Sequence, residues 1–251
     1  MLELKNLSVG YGKETILDDV TVSFEKGKLT SLIGVNGCGK STLLKAVLGI
    51  IPIARGTVSA DGTVLSSLKR TEIAKKISYL GQENGIPDMT VMQLVLHGRF
   101  PYLSYPRRYT SRDLEIARLA MEEVGIEALA DKPLHTLSGG MRRIAYIAMS
   151  LAQNTDYILL DEPTTYLDIA HRLELMRILR RLADSGRGVL AVMHELPMAF
   201  DFSDEIALLH SKTSVMRGAP LQISGSPLIR SAFGVAIKYS EQENRYLYRY
   251  E

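Results

Sequence analysis

Nine residues, Gly34-Val35-Asn36-Gly37-Cys38-Gly39-Lys40-Ser41-Thr42, constrain this chain more than any other feature. They follow a short apolar run from Leu29 to Ile33. They precede Ser41 to Leu48, which has helical spacing and stops at Gly49 as at a glycine cap. Strand, glycine loop and helix in that order predict a phosphate-binding loop. Glycines let the backbone curl until successive amide hydrogens face phosphate oxygens, and the following helix offers its positive end. Lys40 is expected to reach the β and γ phosphates and Ser41 to supply a magnesium ligand. The reading is a site for ATP with Mg2+, and hydrolysis of that ATP.

The remaining chain supplies the setting for such a loop. Leu2, Leu4 and Leu7, then Val20, Val22 and Phe24, read as strands separated by turns at Gly10-Tyr11-Gly12 and Lys26-Gly27. Ile77 to Leu80 reads as another strand. Helical periodicity runs from Val91 to about Ala152, with Leu114, Ala117, Met121 and Val124 on one face. Beyond Gln153 come an apolar run Tyr157 to Leu160, a helix Asp168 to Ala183, and apolar runs Val189 to Met193 and Ile206 to Leu209. Runs apolar on both faces and alternating with helices predict buried parallel strands, hence an α/β fold. We expect one domain over 1–251. Its nucleotide-binding core takes about 1–86 and 157–215, a helical insertion takes about 87–156, and a β-rich tail takes about 216–251 with Tyr246, Tyr248 and Tyr250 on one face.

Composition sets limits. The net charge of +2 is too small to point to nucleic acid. The single cysteine, Cys38, excludes an intrachain disulfide and favours a reducing cytoplasm. No run of about eighteen apolar residues is present, so work at a membrane would require another protein to hold the chain there. The amino terminus lacks the basic flank and long apolar stretch of a secretory signal.

Two further constellations carry chemistry. Tyr157-Ile158-Leu159-Leu160 ends in Asp161-Glu162; a buried strand would hold Asp161 beside magnesium, and Glu162 could polarise a water for attack on the γ phosphate. Alone, such an acid pair is a solvated strand end; beside a phosphate loop it is a catalytic pair. Leu137-Ser138-Gly139-Gly140-Met141, followed by Arg142 and Arg143, places a serine and two glycines at a helix start. Ser138 there is a helix cap, or a second anion site, or both. One nucleotide does not need two such sites, which suggests a dimer sharing nucleotides.

With these motifs in this order, the chain resembles the ATP-binding cassette ATPases, the nucleotide-binding subunits of transporters, over essentially its whole length. The resemblance implies a P-loop NTPase core with a parallel sheet, an N-terminal antiparallel β subdomain and a helical insertion subdomain. It implies that Tyr11 stacks on adenine, that Gln82 senses the γ phosphate and the metal, and that His194 contacts the γ phosphate. Asp168 joins the loop residues and Ser138, Gly139 and Gly140 as a nucleotide-site residue. It further implies a homodimer closing head to tail on two ATP, with transmembrane permease subunits and, through them, a substrate-binding protein. The location implied is the cytoplasmic face of the membrane.

Several phrases are similar to the importers of ferric siderophores, haem and cobalamin. They are His97-Gly98-Arg99-Phe100-Pro101-Tyr102, a helix carrying Leu129-Ala130-Asp131, Ile147 to Gln153, and Asp161 to Asp168. An exporter subunit would share the catalytic motifs. Non-transport members of the family typically carry a long coiled coil in the insertion or two cassettes in one chain, and this chain has neither. A scaffold that binds ATP without hydrolysing it is at odds with Glu162 and His194. Two residues depart from the family pattern: Met141 stands in place of the usual glutamine, and Glu195 in place of the usual aspartate. Phe100, Tyr102, Leu103 and Tyr105 are candidates for docking a permease helix.

Overall fold

The computed structural model describes residues 1–12, 14–82 and 85–250; the side chain of Tyr250, and with it that part of the tyrosine face, lies outside the described residues. Along the first third come β1 (Leu2–Tyr11), β2 (Glu14–Phe24), β3 (Leu29–Ile33), α1 (Lys40–Val47), β4 (Ile53–Ala60), β5 (Thr63–Val64), α2 (Arg70–Ala74) and β6 (Ile77–Leu80). The middle contributes α3 (Val91–Leu96), α4 (Ser111–Glu123) and α5 (Gly139–Ala152). Then follow β7 (Tyr157–Asp161), α6 (Ile169–Asp184), β8 (Gly188–Val192), α7 (Leu196–Phe202), β9 (Glu205–Ser211) and β10 (Ser214–Gly218). The chain closes with α8 (Pro220–Ser224), α9 (Pro227–Phe233), β11 (Val235–Ser240) and β12 (Arg245–Tyr250).

The doubly apolar runs form the centre, as expected. Strands β3, β7 and β8 are buried at every position. They lie inside a six-stranded sheet of order β10-β9-β3-β8-β7-β6, parallel except for β10. Successive side chains of a strand point to opposite faces, so this sheet feeds two cores. Tyr157 and Leu159 enter one with Leu4, Val22 and Leu43; Ile158 and Leu160 enter the other with Ile147 and Leu179. Each fully buried leucine or isoleucine there stabilises by about 1.5–3 kcal/mol relative to exposure. The alternating N-terminal segments pair antiparallel in the order β2-β1-β4-β5 and cover the first core.

The middle segment is helical but interrupted. Three α-helices replace the continuous periodicity, because Pro101, Pro106, Gly125 and Pro133 punctuate it. Thr90 and Thr110 cap α3 and α4, each accepting a backbone N–H three residues on. Ala117, Met121 and Val124 are buried, whereas Leu114 is 43% exposed at the start of α4. The segment around Leu129-Ala130-Asp131 is not an α-helix but a single 3-10 turn, Glu127–Leu129. Gly125 at φ +76° and Pro133 bracket that segment.

The His97 to Tyr102 phrase has a structural role. Arg99 is buried, donating from Nε to Asp113 Oδ1 (3.0 Å) and from Nη1 to the Ala152 carbonyl (2.9 Å). Tyr102 donates to the Gln153 carbonyl and lies under the Arg99 guanidinium. These bonds tie the turn after α3 to α4 and to the end of α5. The tail differs from the expected one: α8 and α9 precede its hairpin, each opened by a proline in the first turn. Tyr246 packs edge-on against Phe200 of α7, and Tyr246 and Tyr248 both lie against the larger core.

Candidate nucleotide site

The loop between β3 and α1 sits at the carboxyl end of the central strand, where an open α/β sheet leaves its crevice. Gly37 and Gly39 have φ of +76° and +106°, a region that side-chain-bearing residues rarely enter. That curl brings Lys40 back beneath the loop. Its ammonium is buried and donates to the carbonyls of Gly34 (2.9 Å) and Val35 (3.0 Å). Thr42 is buried behind it, while Asn36 and Gly37 stay exposed at the rim. Cys38 is partly buried, with its sulfur 3.9 Å from Lys40 Nζ.

The end of β7 supplies the acids. Asp161 is buried and accepts from Ser41 Oγ (3.1 Å) and from the Tyr79 hydroxyl (3.3 Å). Burial, and then the Asp161 charge, push the Tyr79 hydroxyl up to about 12, so it stays a donor at neutral pH. Among the described residues, no three His, Cys, Asp or Glu side chains gather into a protein-only metal cage. One buried carboxylate beside a serine hydroxyl is instead a pair of hard oxygen donors, the chemistry that suits Mg2+.

Glu162 is the hub of a second cluster. Gln82 Nε2 donates to Glu162 Oε2 (2.8 Å) and so does Thr165 Oγ1 (3.2 Å); His194 Nε2 lies 2.5 Å from Glu162 Oε1. Glu162 itself holds φ at +49°, a left-handed conformation that turns its side chain off the strand. Glu195 accepts from Thr164 Oγ1 (2.6 Å) and pairs with Arg172 (3.1 Å). Gln82, Glu162, Thr165, His194 and Glu195 line one cleft of about 670 Å³ with Lys40, Ser41 and Thr42.

Some expected residues lie elsewhere. Tyr11, at the end of β1, is half exposed and does not line this cleft, whereas Ile16 of β2 does. Ser138, Gly139 and Gly140 are also outside it; Gly139 lines the adjoining hollow, which shares Gln82, Thr165 and Tyr166 with the cleft. Ser138 caps α5, its Oγ accepting from Met141 N (3.2 Å), so the plain capping role is present. Met141 is half-buried against the larger core. Asp168 caps α6 and accepts from His171 N (2.9 Å) and Nδ1 (2.8 Å).

Comparison with known proteins supplies the family. The ABC transporter family profile matches residues 17–165, more than half of the chain and inclusive of both the glycine loop and the acid pair. This chain belongs to the ABC transporter family. The cassette is 40% identical over 236 residues to the iron(3+)-hydroxamate import ATP-binding protein FhuC of Bacillus subtilis (strain 168), covering 93% of this chain and 88% of that one. Its fold superposes with a TM-score of 0.84 on a chain of a transporter described as of the metal-chelate type, in an inward-facing conformation, at 25% identity over 99% and 95% of the two chains. A bacterial ABC transporter cassette solved as a dimer gives a TM-score of 0.74 at 27% identity, covering 88% and 99%. The α/β fold, the parallel sheet and the antiparallel N-terminal strands are those of an ABC ATPase cassette.

Cys38 offers a probe of the loop. Burial pushes its thiol above the ordinary value, against the opposing pull of the Lys40 ammonium. The thiolate fraction at pH 7 is therefore below that of a free cysteine, and alkylation is expected to accelerate as the pH rises above the usual thiol range. The sulfur packs against the first core and does not itself line the cleft, so we propose that ATP protects it by closing the loop above it. Iodoacetamide labelling followed by mass spectrometry should show protection by ATP, and equal labelling with and without nucleotide would contradict it.

Proposed function

We propose that this cassette is the ATP-hydrolysing subunit of an importer for an iron complex, a ferric siderophore or haem, with cobalamin as the related cargo. The observation that carries the catalytic part is the Glu162 carboxylate, held by Gln82, Thr165 and His194 in the same cleft that Lys40 and Ser41 line. A carboxylate so placed can orient a water and accept its proton as it attacks the γ phosphate. Lys40 draws negative charge from the β and γ phosphates, and His194 is placed to reach the γ phosphate. Tyr11 is assigned to adenine. Ser41 and Asp161, with Gln82, would hold Mg2+, which would supply positive charge against the negative charge that builds on the phosphates.

The exposed Ser138 and Gly139, outside the chain's own cleft, support a head-to-tail homodimer in which they, with Gly140, face the partner's ATP. In that dimer Asp168 also lies at the nucleotide interface. No helix among the described residues is long and apolar enough to cross a membrane. Work at the cytoplasmic face of the membrane is therefore assigned through permease subunits, with a substrate-binding protein beyond them. Tyr105 (97% exposed) and Phe100 (47% exposed, with the Arg107 guanidinium over its ring) are accessible to a permease, whereas Tyr102 is occupied internally and Leu103 is partly buried.

The import reading rests on the relatives rather than on the His97 to Tyr102 phrase, whose Arg99 and Tyr102 serve internal packing. Uptake of radiolabelled iron tests it. In a host strain lacking the gene, accumulation from ferric hydroxamates, other ferric siderophores or haem should fall. Wild type should restore it and Glu162→Gln should not. Unchanged uptake of every iron complex and of cobalamin would overturn the reading.

A further inference from the structure

We propose that Arg143 is a positioning residue: it ties α5, whose amino end presents Ser138 to Gly140, to the two loops that carry Gln82 and Glu162, so that engagement of one end sets hydrolytic geometry at the other. Arg143 is 9% exposed. Its guanidinium donates from Nε to the Pro163 carbonyl (3.1 Å) and from Nη1 to the Gly81 and Gln82 carbonyls (3.0 and 3.4 Å). Nη2 donates to the Asp161 and Glu162 carbonyls (3.2 Å each). Five backbone acceptors from two separate loops thus converge on one side chain. A guanidinium carries five N–H donors in a fixed fork, so this is close to the most it can offer.

All five acceptors are carbonyls of the residues that make the catalytic cluster or flank it. Holding them fixes where the β6 and β7 ends lie relative to each other, and so fixes the hydrogen bond between Gln82 and Glu162. The Glu162 backbone needs such support, because a left-handed φ at a residue with a side chain costs about 1–3 kcal/mol unless its surroundings enforce it. Burial lowers the guanidinium to about 10, still protonated at neutral pH. The helix is a rigid lever: Ile144, Ile147 and Leu151 of α5 are buried in the larger core. A second contact joins the same two regions. A Cβ at Gly140 would come within 2.3 Å of the His171 ring, and His171 is bonded to Asp168, which ends the segment begun by Asp161. The start of α5 is therefore packed on the start of α6 at His171 and bonded through Arg143 to the 161–163 stretch.

The relay between sites rests on the head-to-tail dimer proposed above; the local positioning of Glu162 does not. Arg143→Met removes every donor with little change in volume, and Arg143→Lys keeps the charge with three donors on a flexible stem. Steady-state ATPase assays should show kcat for Arg143→Met reduced roughly ten- to a hundredfold, as for a displaced catalytic group, with the Kd for ATP within about twofold of wild type. Arg143→Lys should recover part of that loss. The sigmoidal dependence on ATP expected of a two-site dimer should flatten in Arg143→Met. In a Glu162→Gln background, ATP-driven dimers should form with and without Arg143→Met. Unchanged kcat, or a kcat loss matched by lost affinity or by a lower folded fraction at the assay temperature, would overturn the proposal. If Glu162→Gln alone forms no dimer, the dimer reading fails and the relay with it, while the split between kcat and Kd still decides the positioning role within one chain.

Discussion

Glu162→Gln is expected to lower kcat for ATP hydrolysis by about 10²- to 10⁴-fold, the range for loss of a positioned general base, while nucleotide affinity changes little. The exchange keeps the side-chain shape and leaves an oxygen that can still accept from Gln82 or Thr165. What disappears is the negative charge that His194 faces and that would draw a proton from water. Because Glu162 lines the cleft and is not part of either hydrophobic core, the fold should survive, and an unchanged thermal midpoint would confirm that activity was lost at the site. Phosphate release measured beside ATP binding separates the two quantities. Wild-type turnover in this variant would remove Glu162 from the mechanism.

Lys40→Ala is expected to act on the other quantity. The ammonium is the buried cation beneath the loop, and hydrogen bonds to charged groups are each worth about 1.5–3 kcal/mol. Losing one such contact with phosphate corresponds to a drop in affinity of about ten- to a hundredfold. The same ammonium bonds the carbonyls of Gly34 and Val35, so the variant loop also loses an internal brace. Titration calorimetry with ATP and Mg2+ should record the weaker binding, and an unaltered Kd would contradict the role given to the loop.

Local pattern explains what was legible from residues alone. The strand, glycine loop and helix from Leu29 to Leu48, the apolar strand ending in Asp161-Glu162, and the capped helix at Ser138 each have a signature within a dozen residues. The parallel sheet was legible because burial on both faces leaves uninterrupted apolar runs at β3, β7 and β8. Arg143 was visible only as one of two arginines after Leu137-Ser138-Gly139-Gly140-Met141. Its acceptors are backbone carbonyls some twenty and sixty residues away, and a carbonyl leaves no mark in a sequence. Tyr79 and Thr165 were equally hidden, since each gains its partner through sheet or turn geometry. The two tail helices did have a signal, a proline directly after Ala219 and after Ser226, which the alternation of the later tyrosines overshadowed. The His97 to Tyr102 phrase shows the converse: a phrase typical of a subfamily whose arginine serves packing, through Asp113 and the end of α5.

The most direct test of the head-to-tail dimer closed on two ATP is light scattering of the Glu162→Gln chain with ATP and Mg2+, with bound nucleotide counted in the eluted species. The expected result is a dimer carrying two ATP, which reverts to monomer when Mg2+ is chelated. A monomer that binds ATP at full occupancy and never dimerises would contradict the account, because Ser138, Gly139 and Gly140 would then face no nucleotide at all.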